Sequence, residues 1–70
     1  MPLIQVHLLK GRTDQQKRRL IRELTNVMVD VLGSDPVRVN VVVNEVDAEN
    51  WGRGGVPLSD EGPDSGRVSA

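Results

Sequence analysis

One nitrogen in this sequence is chemically unlike the rest. Pro2 follows the initiator methionine, and a residue as small as proline permits removal of that methionine during biosynthesis. Removal would leave a free secondary amine at the head of the apolar stretch Leu3 to Leu9, which closes with Lys10-Gly11-Arg12. That amine is a candidate general base. Such a base works best when its pKa lies near the operating pH, whereas a secondary amine in water is more basic than that. Burial among apolar side chains and a nearby guanidinium both disfavour the ammonium form and lower the pKa. Leu3, Leu9, Val42 and Trp51 can supply the first effect and Arg12 the second, provided that subunit packing brings them together. Arg12 can also hold a carboxylate in a bidentate geometry that a lysine does not reproduce.

Other polar groups have plainer readings. His7, the single histidine, sits in a stretch that reads as a strand, where a packed and hydrogen-bonded ring is commoner than acid–base duty. Lys17, Arg18, Arg19 and Arg22 form a solvated helix surface. Trp51 stands in the glycine-rich segment Trp51-Gly52-Arg53-Gly54-Gly55, either as an apolar wall of a site or as an interface anchor, a place where Trp is enriched. That segment has no Lys-Ser/Thr and no following helix, so it is not a phosphate loop.

The elements that must position these groups follow from pattern. Leu3 to Leu9 is apolar at nearly every position with β-branched Ile4 and Val6 inside it, and reads as a strand. Ile4, Val6 and Leu8 share one face, and Leu3, Gln5, His7 and Leu9 the other. Thr13 offers a helix-capping hydroxyl and Gln16 a side chain able to reach back to it. Behind them Leu20, Ile21, Leu24, Val27, Met28, Val31 and Leu32 recur at the spacing of one helical face, and Gly33 is placed to end the helix. After Ser34-Asp35-Pro36, the run Val37 to Val46 reads as a second strand. Its valines at 37, 39, 41 and 43 face one way, and Arg38, Asn40, Val42 and Asn44 the other.

The fold class expected is therefore α/β: a single β-α-β unit with two parallel strands and a right-handed crossover, followed by a hairpin at the glycines and a tail. Residues 1–55 form the domain, and residues 56–70, rich in Pro, Gly, Ser and acid, form the tail. One helix covers only one face of a two-stranded sheet, and two strands alone are marginal in water. A chain of 70 residues buries only roughly 60% of the surface its unfolded form exposes. With no cysteine and one histidine, neither a disulfide nor a metal site is available as a staple. Another subunit is the remaining device.

Composition narrows the partners. A formal net charge of −1 with both signs interspersed gives no field for a phosphate backbone, so nucleic acid is not an expected partner. No run approaches the roughly 20 apolar residues of a membrane span, and no charged region precedes an apolar core as in a signal peptide. A soluble cytoplasmic protein is the expectation.

The order of features, from Pro2 through a strand ending in Leu8-Leu9-Lys10-Gly11-Arg12-Thr13-Asp14, an amphipathic helix and a valine-rich strand to Trp51-Gly52-Arg53-Gly54-Gly55, resembles the tautomerase superfamily with an amino-terminal proline. Within it the similarity is to the small 4-oxalocrotonate tautomerase group, over roughly residues 2–55. The resemblance implies a hexamer built as a trimer of dimers, of identical chains or of two kinds, with active sites at subunit boundaries. It implies a cofactor-independent, metal-free keto–enol isomerase acting on a small unsaturated 2-oxo or 2-hydroxy acid. Pro2 matches the catalytic proline, Arg12 the carboxylate-binding arginine, Leu9 an apolar position lining the site, and Trp51 a large aromatic one. One position departs from the family pattern: Asn40 stands where the second functional arginine would be. Asparagine can hydrogen-bond a carbonyl or carboxylate but brings no charge, and Arg38, expected on the same strand face one repeat earlier, is the alternative.

Two competing readings stand beside this one. Related proteins use a protonated proline and a carboxylate that activates water to act as dehalogenases or hydratases on short unsaturated acids, and Glu45 and Asp47 are acids near the end of the second strand, with nothing in the sequence to bring either to a site. The other reading is a non-catalytic subunit that uses the β-α-β unit only for assembly.

Overall fold

A computed structural model describes residues 1–60. The expected tail lies outside these residues from position 61 onward. Strand β1 spans Leu3–Leu9, helix α1 Asp14–Leu32 and strand β2 Asn40–Val46. The two strands pair in parallel, from Leu3 opposite Asn40 to Leu9 opposite Val46. This is the expected β-α-β unit. A short antiparallel hairpin follows, β3 at Gly52–Arg53 and β4 at Val56–Pro57, with Arg53 opposite Val56.

The helix begins where its capping residues dictate. The Thr13 hydroxyl accepts from the Gln16 N–H at 3.0 Å, and the Gln16 side-chain oxygen accepts from the Thr13 N–H at 2.9 Å. This reciprocal pair satisfies two donors that would otherwise lack partners. At the far end Gly33 takes φ +69 and donates its N–H to Val29 at 3.0 Å, the left-handed stop that glycine adopts without a Cβ penalty.

The second strand starts later than expected. Pro36–Arg38 forms a 3-10 turn, and the strand begins only at Asn40. Pro36 has no N–H to offer a ladder and its φ is fixed. The Asp35 carboxylate accepts from the Val37 N–H at 3.1 Å, and the Asp35 carbonyl from the Arg38 N–H at 2.8 Å. Local capping therefore wins over the β preference of Val37, which is left 89% exposed. Arg38 is consequently not a strand residue one repeat ahead of Asn40. Val56 and Pro57, at the head of the segment expected as a tail, belong to the hairpin.

Packing is one-sided. Ile4, Val6 and Leu8 of β1 and Val41 and Val43 of β2 are half-buried on the face toward the helix, as are Leu20, Leu24 and Met28 of α1. Lys17 crosses from the helix to Glu45 at 2.8 Å on that same side. The opposite face leaves Leu3 57% and Val42 41% exposed, and no described residue is fully buried. Ile21, Val27, Val31 and Leu32, expected in the packed stripe, are exposed as well. Two strands about 4.8 Å apart are too narrow to cover so wide an apolar arc.

Candidate active site

The expected site residues fall at two opposite ends of the sheet. At one end Pro2 is half-buried, and its carbonyl accepts the Asn40 N–H at 2.9 Å. That bond opens the ladder and fixes Asn40 beside the proline. The Asn40 side-chain amide donates to the Arg38 carbonyl at 3.4 Å, so the 3-10 turn brings Arg38 to this end by a route other than strand alternation. Met1 is 91% exposed, and its loss would leave the packing of the strand intact.

At the other end β1 gives out at Leu9, and the Lys10 N–H extends the pairing by one bond to the Val46 carbonyl at 3.0 Å. Arg12 lies between this strand end and the Thr13 cap, so the stop of a strand and the start of a helix both limit where its guanidinium can go. Trp51 follows a 3-10 turn at Ala48–Asn50, and its carbonyl accepts the Leu58 N–H at 2.8 Å, which folds the hairpin back against the strand end. The result is a cavity of about 160 Å³ lined by His7, Leu8, Leu9, Arg12, Trp51, Arg53 and Leu58. A second hollow, of about 280 Å³ on the helix side, is lined by Leu8, Arg12, Gln16, Lys17 and Leu20. Arg12 borders both.

Leu9, Arg12 and Trp51 are thus gathered in one place, and Pro2, Asn40 and Arg38 in another. Seven residue steps separate Pro2 from Leu9, which at about 3.3 Å per residue is about 23 Å of strand. A single small acid cannot bridge that length within one chain. The two acids considered for water activation are held elsewhere: Glu45 turns to the helix side against Lys17, and Asp47 pairs with Lys10 at 3.2 Å.

Four residues of the cavity, His7, Leu8, Arg53 and Leu58, were not expected at the site, and His7, expected as a packed ring, is exposed. The signal for Arg53 was present, because Trp51 and Arg53 stand two apart in extended chain and so share a side. Leu58 gave none, being placed by the hairpin's return. Among the described residues no group of three or more His, Cys, Asp or Glu could hold a metal ion. No helix among them is long and apolar enough to cross a membrane.

Comparison with known proteins gives the family and the fold. The model of the tautomerase enzyme family matches residues 2–61. A probable tautomerase from Ralstonia nicotianae is 49% identical over 59 residues, 84% of each chain. The 2-hydroxymuconate tautomerase of Comamonas testosteroni is 36% identical over 62 residues, 89% of this chain and 98% of that one. Among solved structures, the 4-oxalocrotonate tautomerase homologue of the tomaymycin biosynthetic pathway superposes with a TM-score of 0.82 at 37% identity, covering 86% of this chain and 92% of the other. The heterohexameric 4-oxalocrotonate tautomerase of Chloroflexus aurantiacus J-10-fl does so at 0.79 and 27% identity, covering 86% and 97%. A β-α-β unit headed by Pro2, with an arginine and an aromatic at its far end, and a family match over nearly all of its described length make this chain a member of the tautomerase family, an isomerase by descent.

Proposed function

We propose that the protein, once Met1 is removed, is a cofactor-independent tautomerase of small unsaturated 2-hydroxy and 2-oxo acids, with Pro2 as the proton carrier. The amine lone pair takes the proton of the 2-hydroxyl group. The oxygen electron pair then forms the 2-oxo group as the double bonds shift along the chain, and the ammonium returns its proton to the carbon at the end of the conjugated system. The amine is regenerated and the product is an isomer of the substrate. Arg12 holds a carboxylate, Leu9 and Trp51 form the apolar wall, and Asn40, with Arg38 behind it, hydrogen-bonds the 2-oxo side.

The observation that carries this reading is the cavity whose lining includes Arg12, Leu9 and Trp51. A cation against apolar walls suits a small conjugated acid: one end is anionic and the rest is flat and apolar. The name of the Comamonas relative, 2-hydroxymuconate tautomerase, belongs to the same substrate class. Because Pro2 lies at the opposite strand end, the working site takes Pro2 from one protomer and the Arg12 cavity from another, in a homohexamer or a heterohexamer in the cytoplasm.

The decisive test is Pro2→Ala, in a preparation whose intact mass shows methionine removed and whose assembly matches the parent. Loss of a positioned general base lowers turnover by roughly 10²–10⁴-fold. Full turnover of a 2-hydroxydienoate by this variant would overturn the assignment. A retained methionine in the active parent protein would do the same, since an amide nitrogen is not a base.

A further inference from the structure

We propose that the helix-side hollow beside Arg12 binds a tetrahedral oxyanion of the phosphate kind, and that an anion seated there competes with substrate for the Arg12 guanidinium. The hollow holds about 280 Å³ and is lined by Leu8, Arg12, Gln16, Lys17 and Leu20. It lies away from the face carrying Leu3 and Val42, the one that a partner protomer covers on the reading above.

Its polar lining is rich in donors. The Gln16 side-chain oxygen already accepts from the Thr13 N–H at 2.9 Å, which leaves the two N–H groups of that amide to donate. Lys17 Nζ gives one hydrogen bond to Glu45 at 2.8 Å and keeps two more N–H groups. The Arg12 guanidinium pairs with no carboxylate among the described residues. Two cations against the one carboxylate of Glu45 leave the hollow a net charge of +1. Half-buried Leu8 and Leu20 lower the local dielectric, which strengthens charged hydrogen bonds. A phosphate has an acceptor oxygen for each of the three polar side chains, whereas a carboxylate has two oxygens in all.

Arg12 also borders the cavity with Leu9 and Trp51. A guanidinium drawn to an anion on the helix side is withdrawn from a carboxylate on the other, so the two ligands weaken each other by the same factor. This coupling rests on Arg12 as the substrate's anchor, as proposed above; the anion site does not.

The test reads phosphate binding to the assembled parent protein by calorimetry, with ionic strength held constant by chloride. Lys17→Gln keeps a hydrogen-bonding partner for Glu45, and Gln16→Glu keeps the helix cap while placing a carboxylate in the hollow. Each is expected to weaken phosphate about tenfold, the worth of one charged hydrogen-bonded contact. Lys17→Arg should keep the affinity, and so should Arg22→Gln, which removes a like charge outside the hollow. Acetate at the same ionic strength should bind more weakly. No saturable phosphate binding, acetate bound as tightly, or an affinity that neither hollow variant moves overturns the site. The coupling is read as the ratio of apparent KM for a 2-hydroxydienoate with and without phosphate, each variant compared with itself. Phosphate should raise KM in the parent and have little effect in Lys17→Gln; an equal rise in both places the competition inside the substrate cavity and overturns the coupling. An inactive parent that binds phosphate and loses it on Lys17→Gln upholds the anion site and sinks the tautomerase reading.

Discussion

A site divided between the two ends of a strand makes a quantitative prediction about mixtures of inactive proteins. Pro2 and Leu9 are about 23 Å apart along β1, and Arg12 lies beyond Leu9. Pro2→Ala and Arg12→Ala therefore damage different half-sites of one chain. If each working site joins the Pro2 end of one protomer to the Arg12 end of another, each variant alone has every site broken. When the two are unfolded together in equal amounts and reassembled, half of the Pro2 ends and half of the Arg12 ends are intact and pair at random. About a quarter of the sites are then fully restored, as expected of an interface repeated by symmetry. The assay is turnover of a 2-hydroxydienoate by the reassembled mixture, with native mass spectrometry to show that mixed oligomers formed. Activity near a quarter of the parent's supports the shared site. Mixed oligomers no more active than the two variants measured apart would refute the reasoning.

Further outcomes follow from the same geometry. The logarithm of kcat/KM should rise with pH through the pKa of the Pro2 amine and level off above it, because a base must be neutral to accept a proton; a kcat/KM that falls as pH rises through that pKa would instead indicate the protonated proline of a hydratase. Thr13→Ala should cost about 1 kcal/mol by urea denaturation at fixed protein concentration, the worth of an N-cap side chain. Gly33→Ala should cost a comparable amount, about 1–2 kcal/mol, from the left-handed backbone alone, since nothing lies within 4 Å of the space its Cβ would enter. The Lys17–Glu45 pair, whose side chains are 26% and 27% exposed, should show a coupling of about 1 kcal/mol in a double-mutant cycle, and no coupling would mean that it does not help dock the helix to β2.

The sequence speaks most clearly where one local rule acts without a rival. Thr13 and Gln16 announce a helix start because both halves of the capping pair are side chains three residues apart, and the bonds form at 2.9 and 3.0 Å. The parallel pairing of β1 and β2 follows from a helix between two strands. At Val37 two rules compete: β-branching argues for strand, while Pro36 and the Asp35 cap argue for a turn, and the turn holds. That contest moved Arg38 off the strand face on which alternation had put it. Arg53 was legible only in combination, since its spacing from Trp51 shows a shared side but only the chain's return to Leu58 closes the cavity around them.

The same narrowness that weakens this fold alone also divides its chemistry. Two strands and one helix leave no described residue fully buried and keep Leu3 and Val42 open on the far face. They also hold the proline and the guanidinium at the two ends of a strand, too far apart for one small acid. On the proposed reading, apolar surface from another protomer covers the open face, and another protomer's opposite strand end completes the site. If the protomer that covers the sheet also completes the site, stability and activity must fall together on dilution or on introduction of a charge at Val42. Val42→Asp places a carboxylate on that face opposite Gln5, where burial without a partner is costly. Sedimentation and turnover measured over one protein concentration series should show dissociation and loss of activity with a common midpoint. Activity that persisted in a verified monomer would separate the two requirements and would mean that the chain reaches its own proline by a fold other than this one.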